Sequence, residues 1–173
     1  LTLGIVNVVG SSIARLTDCG IYLHCGAEIG VASTKVYTSQ IIVMVSMALF
    51  LSSDSRSKQD RRREIFEGLI DLPGKLETCL KELDTPMHEL AQRLKDNSSI
   101  LLFGRGYQFA TCLEGALKIK EVSYIHTEGI HAGELKHGPL ALVDENMPVI
   151  LFATKDSIAT KVHNALHQVT ARG

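Results

Sequence analysis

A chain of 173 residues has room for one sizeable core or for parts of two smaller ones. Its 45% hydrophobic and 21% charged residues suit a folded globular protein, and a formal net charge of −1 supplies no field that would hold nucleic acid or an anionic membrane surface. The four cysteines (Cys19, Cys25, Cys79, Cys112) show neither a C-x-x-C pair nor a His spacing suited to zinc, so they read as free thiols of a reducing, cytoplasmic compartment, with no metal and no cofactor implied.

The opening LTLGIVNVVG has no initiator Met, basic segment or cleavage site; it reads as the middle of a strand and not as a signal peptide. Leu3 to Val9 is an almost continuous apolar run, the pattern of a strand buried on both faces, and Cys19 to Cys25 is a second. The SSIARLTD between them has room for about two helical turns. From Val31 to Ser52 nearly every helical face is apolar or small, which predicts a helix enclosed by protein. Its apolar run, Ile41 to Leu51, is about half of a roughly 20-residue membrane span.

The polar SSDSRSKQD that follows is the best domain boundary and divides the chain into 1–54 and 55–173. Three amphipathic helices are then expected, Asp60–Leu72, Gly74–Leu83 and Pro86–Asp96, the last capped by Thr85. The cations of RSKQDRRRE lack interleaved aromatics for base stacking and read as a solvated helix face, which disfavours nucleic acid. Ser99 to Phe103 predicts a strand, followed by a helix to about Tyr124, a strand at Met147–Ala153 and a helix at Ser157–Arg172. This alternation implies an α/β class with parallel sheets. The organisation expected is two partial three-layer α/β/α lobes in tandem. The chain stops at VTARG, where a helix ends, so both termini suggest a piece of something larger.

Chemistry concentrates in three places. Gly104-Arg105-Gly106 follows a strand and opens a helix, but Phe109 stands where a dinucleotide fingerprint needs a small residue, so NAD is disfavoured; the two glycines are structural or supporting. In the helix that follows, Glu114, Lys118 and Glu121 fall at i, i+4 and i+7 on one face, bordered by apolar positions. That stripe is either an ordinary ion-pair ladder or the acid/base face of a cleft. Next, IHTEGIHAGELKHGPLALVDE places His126, His131 and His137 at spacings unlike a zinc motif, with Gly129, Gly133 and Gly138 allowing sharp bends and Pro139 stopping any helix. Such a segment suits a histidine held at a cleft mouth. Finally, in AEIGVASTKVY a helix start with a Gly, two hydroxyls and free N–H groups would suit an anion or sugar hydroxyls, or be a plain helix cap at Ser33 or Thr34.

EIGVASTK, GRGYQFATCLEGALKIKE and AGELKHGPLALVDE, in this order, resemble the sugar-isomerase half of the glutamine–fructose-6-phosphate aminotransferase family, closer to its eukaryotic branch. The resemblance runs over the whole chain. It implies two tandem sugar-isomerase lobes, a sugar-phosphate substrate, and a homo-oligomer, dimer or higher, whose site is shared between subunits. By the same resemblance the proton-shuttling glutamate is Glu121, its helper Lys118, and the ring-opening histidine, contributed across the subunit interface, His137. Val31, Ala32, Ser33 and Glu28 would bind the sugar, with Glu114 supporting. The glutaminase domain, the phosphate loop and the Schiff-base lysine of that family are not among these residues, so turnover by this chain alone is not expected. His131 stands where the family is expected to carry a small aliphatic residue. The rival reading is a non-catalytic sugar-phosphate sensor, which needs anion-binding loops but no general base.

Overall fold

The computed structural model describes residues 1–173. Leu3–Val6 (β1) and Cys19–Tyr22 (β2) pair in parallel, Leu3 opposite Cys19 and Val6 opposite Tyr22, with helix Ser12–Leu16 (α1) in the crossover. Ser11 caps α1 by accepting the Ala14 N–H at 3.3 Å. Both strands are shorter than their apolar runs. Only Gly4 and Val6 of β1 are buried and Leu3 is exposed, so within this chain the pair is not covered on both faces as the sequence suggested.

Helix Val36–Leu51 (α2) also departs from expectation, because none of its residues is buried, and Phe50 is 78% exposed. A helix that is apolar all round needs cover all round, and this chain's own residues supply only part of it. The three helices expected next are one, Gln59–Leu94 (α3), running through Pro73 and Pro86; Thr85 therefore lies inside it and is no cap. An interior proline removes one backbone hydrogen bond and costs about 3 kcal/mol. Against that, Phe66, Pro73, Leu80, Met87 and Leu94 recur every seventh residue, interleaved with Leu69, Leu76, Leu83 and Leu90, so a single apolar stripe continues through both prolines. The Asp71–Lys75 pair, at 3.5 Å, spans the first of them.

The compact units divide at Leu1–Pro86 and Met87–Gly173, leaving about two turns of α3 in the second; the composition break at 54/55 falls in the connection between α2 and α3. In the second unit Ser99–Gly104 (β3) is the central strand, flanked by His126–His131 (β4) and Val149–Leu151 (β5), all parallel. Strand alternation decides what each side meets. Ile100 and Leu102 pack with Cys112 and Ala116 of helix Tyr107–Ser123 (α4). Leu101 and Phe103 pack with Ala165 and Val169 of helix Ala159–Thr170 (α5). Helix, parallel sheet and helix form three layers, which is the α/β/α architecture expected.

Strand β4 is a correction, since the sequence reads as bends from Gly129 onward. Gly129 instead lies inside the strand, where an added Cβ would come within 3.0 Å of the Leu113 Cα. The glycine is there for the close approach of α4 to the sheet and not for a turn. Gly104, at the end of β3, is tighter still: a Cβ there would overlap the Gln108 carbonyl and lie 2.8 Å from the Cys112 Cβ. Backbone of α4 would have to move, so Gly104→Ala is expected to lower stability by about 3 kcal/mol. Denaturant unfolding tests this, and an unchanged midpoint would show that α4 shifts without cost.

Candidate active site

In the second unit, α4 turns its charged stripe outward while Cys112 and Ala116 hold its other side in the core. Lys118 Nζ donates to Glu121 Oε2 at 2.6 Å and lies 3.4 Å from Glu114 Oε1. The three side chains are about a quarter exposed, at 23%, 27% and 22% for Glu114, Lys118 and Glu121. Beside them Leu117 and Val122 are exposed, so the stripe is a partly desolvated polar strip in an apolar surface. The hydrogen bond to Glu121 pushes the Lys118 pKa up; partial burial opposes this, and the charges of both carboxylates reinforce it. Lys118 is therefore a fixed ammonium at neutral pH, a proton donor held against one oxygen of Glu121. That pairing suits a group that must take up a proton and return it.

His137 sits on the 3-10 turn Leu135–His137, between buried Leu135 and Gly138, whose φ of +144° favours glycine. Leu135, 1% exposed, anchors the turn in the core, while Lys136 and His137 point into solvent. The structure brings Glu114, Lys118 and Glu121 together but gives the His137 imidazole no hydrogen bond or ion pair to them. Pro139 opens a second 3-10 turn, Pro139–Leu142. His131 is accounted for by packing: its ring meets Phe109 edge-on at 5.3 Å, and its Nδ1 accepts the Gly133 N–H at 3.1 Å. Gly106, with φ of +60°, leaves room for Ile158, whose Cδ1 would be 2.6 Å from an added Cβ.

In the first unit, the segment from Ala27 to Val36 lies beside a cleft of about 580 Å³ that Asn7 and Val8 also line, just beyond the carboxyl end of β1. Carboxyl ends of parallel strands are where such folds hold ligands. The amides at the start of α2, however, are not free for an anion. Glu28 Oε1 accepts the N–H groups of Thr34, Lys35 and Val36, and Ser33 Oγ accepts that of Tyr37. Partial burial works against the Glu28 carboxylate, but the bonds from Lys35, Ser33, Val36 and Thr34 outweigh it and hold its pKa below the ordinary value. Val31, Ala32 and Ser33 keep their backbone N–H groups unbonded at the tip of the segment. The sequence reading passed over Asn7, whose two hydrogen bonds reach residues about eighteen positions away and leave no local pattern. No cluster of three His, Cys, Asp or Glu side chains is close enough to hold a metal, and no helix is long and apolar enough to cross a membrane.

The chain as a whole is similar to known proteins. The chain is 61% identical over 173 residues to the glutamine–fructose-6-phosphate aminotransferase (isomerizing) of Saccharomyces cerevisiae, covering 99% of this chain and 24% of that protein. It is 59% identical over 172 residues to aminotransferase 1 of Arabidopsis thaliana, covering 99% of this chain and 25% of that protein. It thus spans about a quarter of the length of the curated relatives it matches. Among solved structures, the C-terminal domain of glucosamine-fructose-6-phosphate aminotransferase from Francisella tularensis superposes with a TM-score of 0.94 at 38% identity, covering 99% of this chain and 48% of that one. The SIS domain family matches residues 1–50 and 93–173, leaving most of α3 between the two matched segments. With its parallel sheets and more than half of its length matched, the chain belongs to the SIS (sugar-isomerase) domain family.

Proposed function

We propose that this chain supplies isomerase machinery to an enzyme that converts fructose 6-phosphate and glutamine to glucosamine 6-phosphate and glutamate, the opening step of hexosamine and UDP-N-acetylglucosamine synthesis. The observation that carries this reading is the Glu114–Lys118–Glu121 strip, a partly buried carboxylate paired to a fixed ammonium on a sugar-isomerase scaffold. A binding module that only holds a sugar phosphate needs no such pair.

In this reading His137 opens the sugar ring, C2 condenses with a lysine elsewhere in the longer protein with loss of water, and ammonia then displaces that lysine amine to leave the ketose imine. Glu121 then takes the proton from C1 and returns it to C2, turning ketose imine into aldose. Lys118 holds the carboxylate over that bond and biases which oxygen is protonated. Val31, Ala32 and Ser33 meet the sugar. His137, exposed on an anchored turn, reaches the site of a second copy of the chain, so the working unit is a dimer or larger homo-oligomer. The four free cysteines fit a reducing cytoplasm.

The test is to supply the longer protein containing this chain with fructose 6-phosphate and glutamine. Formation of glucosamine 6-phosphate with loss of the C1 proton supports the reading. Tight sugar-phosphate binding with no product and no isotope exchange at C1 would replace it by the sensor reading.

A further inference from the structure

From Leu23 to Lys35 the connection between β2 and α2 has no strand or helix of its own, yet side chains tie it down at both ends. Asn7 donates Nδ2 to the Gly26 carbonyl at 2.6 Å and accepts the Cys25 N–H at Oδ1 at 3.0 Å. Lys35 Nζ donates to the Ala27 carbonyl at 3.1 Å. Glu28 Oε1 accepts the N–H groups of Thr34, Lys35 and Val36 at 3.2, 2.8 and 3.3 Å. Between these ties Ile29 and Val31 are 98% and 92% exposed. The base of the loop is thus cinched by hydrogen bonds, of which those to the Glu28 carboxylate and from the Lys35 ammonium are charge-assisted and the stronger kind, while its tip stands free. Glu28 Oε1, shared by three amides, cannot also serve a substrate hydroxyl well, which leaves only Oε2 for one. It does fix the direction in which the tip leaves the helix.

We propose that Asn7 and Glu28 are positioning residues that clamp the two ends of this loop and so present the Val31–Ser33 backbone to the sugar, without touching the sugar themselves. This rests on the reading above for the sugar contact, but the clamp itself is measurable without substrate. Glu28→Ala in the longer protein is expected to speed amide exchange at residues 34–36 by about tenfold or more, the worth of a lost charge-assisted hydrogen bond. A loop that binds but does no chemistry should raise KM for fructose 6-phosphate severalfold while kcat stays within about twofold. Glu28→Gln, which keeps a carbonyl acceptor, should recover most of both. Asn7→Ala should speed exchange at Cys25 in the same way, and it carries the decision if Glu28→Ala does not fold.

Wild-type exchange rates at residues 34–36 in Glu28→Ala, or at Cys25 in Asn7→Ala, would overturn the proposal. So would a Glu28→Gln variant that keeps its amide protection yet loses as much KM as Glu28→Ala, because Glu28 would then be meeting the sugar. A wild-type protein without turnover on fructose 6-phosphate would sink the aminotransferase reading and leave the exchange result standing.

Discussion

Glu121→Gln is expected to lower the isomerisation rate of the longer enzyme by roughly 10² to 10⁴, the usual worth of a general base, while sugar-phosphate affinity stays within a few-fold. The substitution keeps the shape of the side chain and an oxygen for Lys118 Nζ, which now sits 2.6 Å from Glu121 Oε2. What it removes is the ability to accept a proton. Binding should survive because α4 is held by Cys112 and Ala116 on its other side and the stripe itself is partly exposed. Glu114→Gln is the control. It lies on the same face but 3.4 Å from Lys118, so its loss weakens an ion pair and costs less rate. Solvent-isotope exchange at C1, measured beside affinity, separates the two. Exchange at the wild-type rate in Glu121→Gln would show that another group moves the proton, with His137 next in line.

His137→Ala should be nearly as damaging, and for a reason that mixing can expose. The imidazole stands on a solvent-facing turn anchored by Leu135 and meets neither Glu121 nor Lys118 within its own chain. If it completes the site of a second copy, a hybrid of His137→Ala and Glu121→Gln subunits contains one site with both native groups. Equal mixing with free exchange makes half of all dimers hybrid, each with one working site of two, so roughly a quarter of wild-type activity should return. No recovery on mixing would place both groups in one subunit's site, and the inter-subunit reading of His137 would have to be abandoned.

The charged strip of α4 was legible in the sequence because helical spacing is local: residues at i, i+4 and i+7 share a face whatever the rest of the chain does. The buried strand β3 was legible for a similar reason, since Ile100 to Phe103 are four consecutive apolar residues, all buried. Strand β4 was not, because Gly129 and the histidines at both ends do not look like strand residues; the approach of α4 to within contact of Gly129 is what selects them. The two prolines of α3 are local stop signals, and they were overruled by a seven-residue apolar repeat whose benefit is summed over the whole helix.

By itself, then, the order of residues determined the α/β class, the parallel sheets and the face on which Glu114, Lys118 and Glu121 meet, since each follows from spacing within one element or from strand–helix alternation. Tertiary structure alone decided how the loop at Glu28 is held and what is left free on it. Asn7 and Glu28 reach backbone groups across 19 and up to 8 residues of chain, and such bonds exist only once β1, the loop and the start of α2 are folded against one another. The same folding takes the first amides of α2 out of use for an anion, because a carboxylate brought to a helix start satisfies those donors before any ligand arrives.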